Sequence, residues 1–327
     1  MRNALTDVPG LKVGSAHDVR AASGVTVVVF DESCVASVAI HGGAPASHDT
    51  AMLAPGMTVE RIDAIALSGG SVYGLETAAG VKAWLAEQGR GFPIGPIKVP
   101  IVPGAAMFDL LNGGDKAWGR RAPYADLGYG AAAGAGLGIA LGRVGAGYGA
   151  TTVDLKGGLG TASTVTSAGF VVGALAVVNA VGRATIGTSP HFWAQPYERG
   201  GEFGGLVRPH PLPPDAFDFH IKGDQPATTL CVVATDARLS KAACARVAIM
   251  AQDGLVLALR PAHAPMDGDT VFAASTGKAH KANLRDVAEI GLLAAECVAR
   301  AIARGVFEAE ALEFAGALPS WRGRAGD

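Results

Sequence analysis

The sequence has few charged residues, few aromatic residues and no basic cluster. Only 17% of its 327 residues are charged, 6% are aromatic, and the net charge at pH 7 is -2. Lys and Arg are scattered, so the chain has no positive patch with which to hold a phosphate backbone or an anionic membrane surface. We therefore expect a small neutral or zwitterionic ligand and no nucleic-acid partner.

A long apolar run is also missing. The longest uncharged apolar stretch covers residues 168–178, which is much shorter than the roughly 18 residues needed to cross a bilayer. Pro9 and Gly10 lie where a signal peptide would need its apolar core. The sequence predicts a cytoplasmic protein without a membrane segment.

Cysteine motifs and metal-binding motifs are absent as well. The four cysteines, at 34, 231, 244 and 297, are far apart, which is typical of reduced core thiols. No histidine belongs to an HExxH motif or to a Cys/His cluster, so we expect no metal. Residues 145–150, GAGYGA, fit a loose dinucleotide motif, but no acidic residue follows at the required distance. Tight glycine packing explains them better, and we expect no cofactor.

Apolar residues make up 49% of the chain, which is enough for a large core. Strands are predicted at residues 25–30, 35–40, 64–67, 171–178, 230–234 and 271–274, from runs rich in β-branched residues. Helices are predicted at 72–88, 241–252 and 284–304, from apolar spacings of three and four. The fold class is therefore α/β or α+β, with helices covering sheets.

Two segments lack these patterns. Residues 128–160 are rich in Gly and Ala with few charges, which favours packed backbone over a flexible linker. Residues 190–225 carry six prolines among charged and aromatic residues and resemble an exposed connector. This connector ends just before Thr228 and would leave the backbone there accessible to a reaction.

Several side chains at the ends of these elements could carry chemistry. Tyr73 follows the Gly69–Gly70 turn, where backbone N–H groups could face an oxyanion, although it could equally be an amphipathic residue at a helix start. Asn179 ends a strand and is either a turn former or an oxyanion donor. Lys156 is a solvated loop lysine or a cation in a cleft.

Two further pairs of side chains stand at strand starts. Asp267 and Asp269 flank Gly268 before an apolar run, and two close carboxylates can share a proton or orient an amine. Thr228 and Thr229 begin the run TTLCVV. Two hydroxyls there are commonly the edge of a sheet, or one of them is a nucleophile.

Seven motifs, in the order in which they occur along the chain, resemble those of the DmpA-type peptidase family. This family includes self-processing L-aminopeptidase/D-esterases, β-peptidyl aminopeptidases and the nylon-oligomer hydrolase NylC. These motifs are LTDVPGLKVG, LSGGSVYGLETAAGV, IVPGAAMFDL, KGGLGTAS, ALAVVNAVG, TTLCVVATDARLSK and DGDTVFA. The resemblance implies a single domain with the layered α/β/β/α sandwich of the DmpA/ornithine-acetyltransferase type, built from two β-sheets between helices. It also implies a homo-oligomer of tetramer type.

The family resemblance implies a cut between Ala227 and Thr228 that yields fragments 1–227 and 228–327. Thr228 is then the nucleophile, and its freed α-amino group, with an ordinary pKa of about 7.7 to 8.0, is the base. Tyr73 and Asn179 match the family's oxyanion residues. Lys156 matches a catalytic lysine or is only the first residue of KGGLG.

The acidic pair Asp267 and Asp269 matches the NylC type, which favours hydrolysis of 6-aminohexanoate-like oligoamides or short peptides without a metal or cofactor. An aminopeptidase/D-esterase or a β-peptidyl aminopeptidase is the alternative. An acyltransferase of related fold stays open, and so does an unprocessed, non-catalytic protein, because Ala227 stands where relatives often have Asn or Gly.

Overall fold

One long strand, Ser23–Ile40, joins the two halves of the fold in the computed structural model, which describes residues 1–325. The strands are β1 Leu11–Asp18, β2 Ser23–Ile40, β3 Ala46–His48, β4 Arg61–Ser68, β5 Phe92–Ile94, β6 Ile97–Val99, β7 Gly104–Ala106, β8 Leu159–Val165, β9 Val171–Asn179, β10 Thr228–Thr235 and β11 Thr270–Ser275. The α-helices are α1 Thr77–Glu87, α2 Tyr124–Ala133, α3 Lys241–Ala251, α4 Asp253–Ala258, α5 Leu284–Phe307 and α6 Trp321–Ala325.

The main sheet has the strand order β3-β7-β4-β2-β11-β10-β9-β8, with β1 also paired to β2, while β5 and β6 form a separate hairpin. The first half of β2 pairs with β1 and β4, and its second half pairs with β11. Strand β10 runs antiparallel to β9 and parallel to β11. The sheet therefore consists of two parts that share β2.

The two parts of the sheet pack face to face, and helices cover both outer faces. Along β10, Leu230 and Val232 point into the core between the β layers, whereas Cys231 and Val233 pack toward α3, α4 and α5. This alternation is the two-residue period of a strand with both faces buried. Helices α1 and α2 cover β2 and β4 on the opposite side. The layered α/β/β/α fold class is confirmed, and its two β layers are joined through β2 into one sheet.

The predicted elements are present with two differences. Residues 25–30 and 35–40 belong to a single strand, whose pairing with β4 has an irregularity between Val29 and Cys34. That irregularity absorbs the polar residues between the two apolar runs. Residues 71–76 form a 3-10 helix that precedes α1, so the predicted helix at 72–88 is partly 3-10.

The Gly/Ala-rich segment is packed backbone only in part: a Cβ at Gly130, Gly136 or Gly138 would meet open space, whereas residues 142–160 are mostly buried. At Gly160 in β8, an added Cβ would lie 1.9 Å from the carbonyl oxygen of Ala301 in α5. Only a glycine lets the helix approach the strand this closely. The four cysteines are buried free thiols, as predicted. In the part of the chain that the structure describes, no helix has both the length and the apolar character to cross a bilayer.

Candidate active site

The peptide bond before Thr228 is held by a neighbouring strand segment. Thr228 begins β10 opposite Asn179 of β9, and only 4% of it is exposed. The Ala227 N–H donates to the carbonyl oxygen of Met266 at 3.2 Å, and the Ala227 carbonyl accepts from the Gly268 N–H at 2.9 Å. This carbonyl is therefore polarised and fixed in direction.

The Thr228 hydroxyl lies next to the same peptide group. Its Oγ1 donates a short hydrogen bond to the Ala227 carbonyl oxygen. On the other side, a Cβ at position 268 would lie 2.5 Å from Thr228 Oγ1. Glycine is thus the only residue type at position 268 that leaves room for the Thr228 hydroxyl.

The two aspartates beside Gly268 have different roles. Asp269 is fully buried; its Oδ1 accepts from the Thr229 N–H at 2.8 Å, and its Oδ2 lies 2.9 Å from both the backbone nitrogen and Nδ1 of His263. Asp267 Oδ1 accepts only from the Gly268 N–H, at 3.2 Å. Burial, followed by the neighbouring Asp269 carboxylate, raises the pKa of Asp267. Burial and the nearby carboxylate therefore favour the protonated form of Asp267.

Asn179 is held by three hydrogen bonds. Its Nδ2 donates to the Phe108 carbonyl at 3.0 Å. Its Oδ1 accepts from the Thr151 N–H at 3.1 Å and from Lys222 Nζ at 3.0 Å. Because Asn179 pairs with Thr228 across the sheet, the structure brings these two sequence-predicted residues together.

A cleft of about 480 Å³ opens beside Asn179. Its lining comes from Asn179 and from residues within four segments, 108–112, 151–156, 220–226 at the end of the connector, and 312–318. Two carboxylates face this cleft. Asp109 accepts from Ser23 Oγ and the Gly70 N–H, both at 2.7 Å, and burial raises its pKa.

Asp154, the second carboxylate of the cleft, pairs with two arginines. Its Oδ2 accepts from Arg183 Nε at 3.0 Å and from Arg324 at 2.7 Å. Both guanidiniums compensate its charge. The C-terminal helix α6, which contains Arg324, is thereby attached to the cleft wall.

Two lysines line the cleft, and burial lowers the pKa of each to about 7. Lys156 Nζ donates to the carbonyls of Gly147, Ala150 and Gly157 at 2.9, 2.7 and 2.7 Å. These bonds use all three of its hydrogens to hold a loop, and a catalytic role for Lys156 stays a prediction. Lys222 contacts Asn179 instead.

Sequence reasoning missed Lys222, His263 and Asp109 as site residues. Lys222 lies in the proline-rich connector and His263 in a loop, where no periodic pattern relates them to Asn179 or Asp269. Asp109 belongs to the motif IVPGAAMFDL, so the resemblance contained a signal for it. Its contact with the Gly70 N–H could have been anticipated, because that turn was already expected to present N–H groups.

Tyr73 lies in the 3-10 helix at residues 71–76. Half of it is exposed, and its ring makes an edge contact with Trp118 at a centroid distance of 5.7 Å. Like Thr228, Asp267 and Asp269, it is not among the residues that line the cleft. Its part in the site stays a prediction. Over residues 1–325, no group of three His, Cys, Asp or Glu side chains is placed to hold a metal ion.

The sequence matches the model of peptidase family S58 over residues 3–317. A Mycobacterium tuberculosis protein described as an uncharacterized aminopeptidase is 41% identical over 345 residues, covering 98% of this chain and 97% of the relative. A 6-aminohexanoate-oligomer endohydrolase of Kocuria sp. is 30% identical over 287 residues, covering 83% of this chain and 74% of that protein.

Solved structures share the fold. A beta-aminopeptidase of Burkholderia sp. superposes with a TM-score of 0.74 at 24% identity, covering 99% of this chain and 92% of that one. The L-aminopeptidase D-Ala-esterase/amidase of Ochrobactrum anthropi, described as a variant of the Ntn hydrolase fold, gives a TM-score of 0.71 at 19% identity with the same coverages. The family resemblance read from the seven motifs is confirmed: the chain belongs to peptidase family S58 and is a hydrolase that acts on amide bonds.

Proposed function

We propose that the protein is a self-processing threonine hydrolase that cuts its own chain between Ala227 and Thr228. In the uncut chain the Thr228 nitrogen is an amide and cannot accept a proton. After the cut it is a free amine, and it serves as the base for the hydroxyl on the same residue. Activity on substrates therefore depends on processing.

The observation that carries the proposal is the set of contacts at the Ala227 carbonyl. Thr228 Oγ1 attacks the Ala227 carbonyl carbon, and the Gly268 N–H, 2.9 Å from the carbonyl oxygen, stabilises the developing oxyanion. The proton released by the hydroxyl passes to the nitrogen as the C–N bond breaks, which leaves an ester between Ala227 and the Thr228 side chain. Water then hydrolyses the ester to a carboxylate on Ala227 and a free Thr228.

The same groups support turnover of a substrate amide. Thr228 Oγ attacks the substrate carbonyl, and the Thr228 amine accepts the hydroxyl proton and passes it to the leaving amine. Water then releases the acyl group. Asn179 is the proposed oxyanion donor, and Tyr73 joins it on the family resemblance alone. Asp269 fixes the backbone next to the nucleophile through the Thr229 N–H.

The strand order supports a stable complex of fragments 1–227 and 228–327. Strands β10 and β11 of the second fragment lie between β2 and β9 of the first and pair with both along the sheet. Separating the fragments would break these pairings and expose the core on both faces of the sheet. Assembly into a homo-oligomer is a further part of the proposal and has only the family resemblance behind it.

For the substrate, we propose the N-terminal residue of short peptides or aminoacyl amides first. The relatives that are 40–41% identical are described as aminopeptidases, whereas those described as oligoamide hydrolases are 29–30% identical. Hydrolysis of 6-aminohexanoate-like oligoamides is the second candidate. It is favoured by the nucleophile Thr228 together with the pair Asp267 and Asp269.

Intact mass of the purified protein tests the processing step. At about 0.1 kDa per residue, the wild type should give fragments near roughly 23 and 10 kDa, and Thr228→Ala a single chain without amidase activity. A panel of L- and D-aminoacyl amides, β-peptides and 6-aminohexanoate oligomers then ranks the substrates. An uncut wild type that hydrolyses amides would refute the mechanism.

A further inference from the structure

We infer that Lys222 is a positioning residue that sets the orientation of the Asn179 side-chain amide. This inference rests on the proposed function, because it assigns Asn179 the role of oxyanion donor. Lys222 Nζ lies 3.0 Å from Asn179 Oδ1 and donates to the Thr151 carbonyl at 2.6 Å. Its backbone N–H donates to the Val181 carbonyl at 3.2 Å, two residues beyond Asn179.

The contacts of Asn179 allow only one orientation of its amide. Oδ1 faces two donors, the Thr151 N–H and the Lys222 amine, and Nδ2 faces one acceptor, the Phe108 carbonyl. Turning the amide over would place its NH2 group against both donors and its oxygen against a carbonyl. An oxyanion site needs the N–H end of the amide. Lys222 therefore helps to keep the donor end away from the connector.

The protonated form of Lys222 strengthens the same effect. A cation at Oδ1 draws electron density from the amide and makes the Nδ2 hydrogens better donors. Lys156 cannot substitute for it, because its three hydrogens are bonded to other carbonyls. Lys156 is connected to Asn179 only indirectly, through the loop that carries Thr151.

The position of Lys222 in the chain gives this contact a second consequence. Lys222 lies five residues before Ala227, on the segment that would become the free end of fragment 1–227. Its contacts with Val181 and Thr151 hold the base of that end after the cut, while residues 223–227 gain freedom. The orientation of Asn179 would thus be the same in the self-cleavage reaction and in substrate turnover.

A double-mutant cycle tests the inference. Lys222→Met, Asn179→Ala and the double variant are compared with wild type for self-cleavage by intact mass, and for kcat and KM of the cleaved protein with an L-aminoacyl p-nitroanilide. We expect Lys222→Met to lower kcat by roughly 10²-fold, the loss that a misplaced catalytic group produces, with little change in KM. The double variant should be no slower than Asn179→Ala, because one residue acts through the other.

Two further variants separate positioning from structural support. Lys222→Arg keeps a cation and should recover part of kcat. Lys241→Met is the matched control: Lys241 is also a buried lysine, bonded to the carbonyls of Met52, Met57 and Val59, and it lies outside the cleft. This control should lose thermal stability and keep its kcat.

Losses that add in the double variant, or an unchanged kcat in Lys222→Met, would overturn the inference. If a variant cleaves itself too slowly to supply processed enzyme, the double-mutant cycle is measured with the rate of self-cleavage in place of kcat. Failure of the proposed function has a different signature, since Thr228→Ala would then still be cut or active whatever the Lys222 variants do.

Discussion

The start of β10 and the wall of the cleft beside Asn179 are built in different ways. At the strand end, Ala227 and Thr229 are bonded through their backbone to Met266, Gly268 and Asp269, so the sheet itself positions the reacting groups. The cleft wall consists of loops from distant parts of the chain. There, single side chains such as Lys156 and Asp154 connect one loop to the next.

This difference separates two kinds of substitution. At the strand end a residue touches the reacting atoms directly, and a change there acts on the reaction with little cost to the fold. In the wall a side chain satisfies several backbone groups of a loop, and its loss acts first on stability. The predictions for Gly268 and Lys156 test that separation, and a third concerns the protonation of Asp267.

The largest effect is expected from Gly268→Ala. The added Cβ would lie 2.5 Å from Thr228 Oγ1, so the hydroxyl or the loop must move, and the Gly268 N–H is displaced from the Ala227 carbonyl. Loss of one oxyanion donor costs about 10²- to 10³-fold in rate. The rate of self-cleavage, followed by intact mass after synthesis, should fall by that amount.

Gly130→Ala is the control for this substitution, because a Cβ at position 130 in α2 meets open space. It should cleave at the wild-type rate and gain a little helix stability. Normal cleavage in Gly268→Ala would contradict this prediction. It would mean that self-cleavage tolerates displacement of the Thr228 hydroxyl or of the Gly268 N–H.

Lys156→Met should act on stability instead. The carbonyls of Gly147, Ala150 and Gly157 lose their donor, and unsatisfied buried groups of this kind cost on the order of 2–4 kcal/mol together. We expect a lower melting temperature, measured in the Thr228→Ala background to keep the chain uncut. In the otherwise wild-type protein, kcat should stay within roughly threefold, since Lys156 does not touch the reacting atoms.

The opposite result for Lys156→Met would show that the cleft wall acts on the reaction and not only on stability. A kcat loss of about 10²-fold with an unchanged melting temperature would make Lys156 the catalytic lysine that the family resemblance implies. The cleft wall would then carry chemistry of its own. Lys222, in the same wall, would have to be tested beside it.

The same division explains how far the sequence could predict the site. Thr228, Asn179, Asp267 and Asp269 each stand at the beginning or end of an apolar run. Strand pairing brings such ends together, so local patterns were enough to place them near one another, while their catalytic roles stay predictions. Lys222 meets Asn179 only because the connector turns back across the end of β9. Its prolines interrupt every periodic pattern, and no local propensity encodes that path.

The fold was predictable for a related reason. Runs such as residues 230–234 and 271–274 are buried on both faces, and they read as strands without any tertiary information. The union of residues 25–30 and 35–40 into β2 was not readable, since the polar residues 31–33 resemble a turn. In the structure they continue the strand at an irregularity that only the pairing with β4 reveals.

The smallest effect, and the one most specific to the strand end, is expected from Asp267→Asn. Burial and Asp269 raise the pKa of Asp267 above its ordinary value of 3.8, so the folded chain keeps a proton that the unfolded chain loses. Stability contributed by this group therefore falls as pH rises from about 4 toward the raised pKa.

Asn cannot ionise and is free of this loss. In the Thr228→Ala background, the free energy of unfolding of Asp267→Asn should rise relative to that of its parent, by an amount on the order of 1 kcal/mol between pH 6 and pH 7. A difference that stays constant with pH, or shrinks, would mean that Asp267 is ionised in the folded chain.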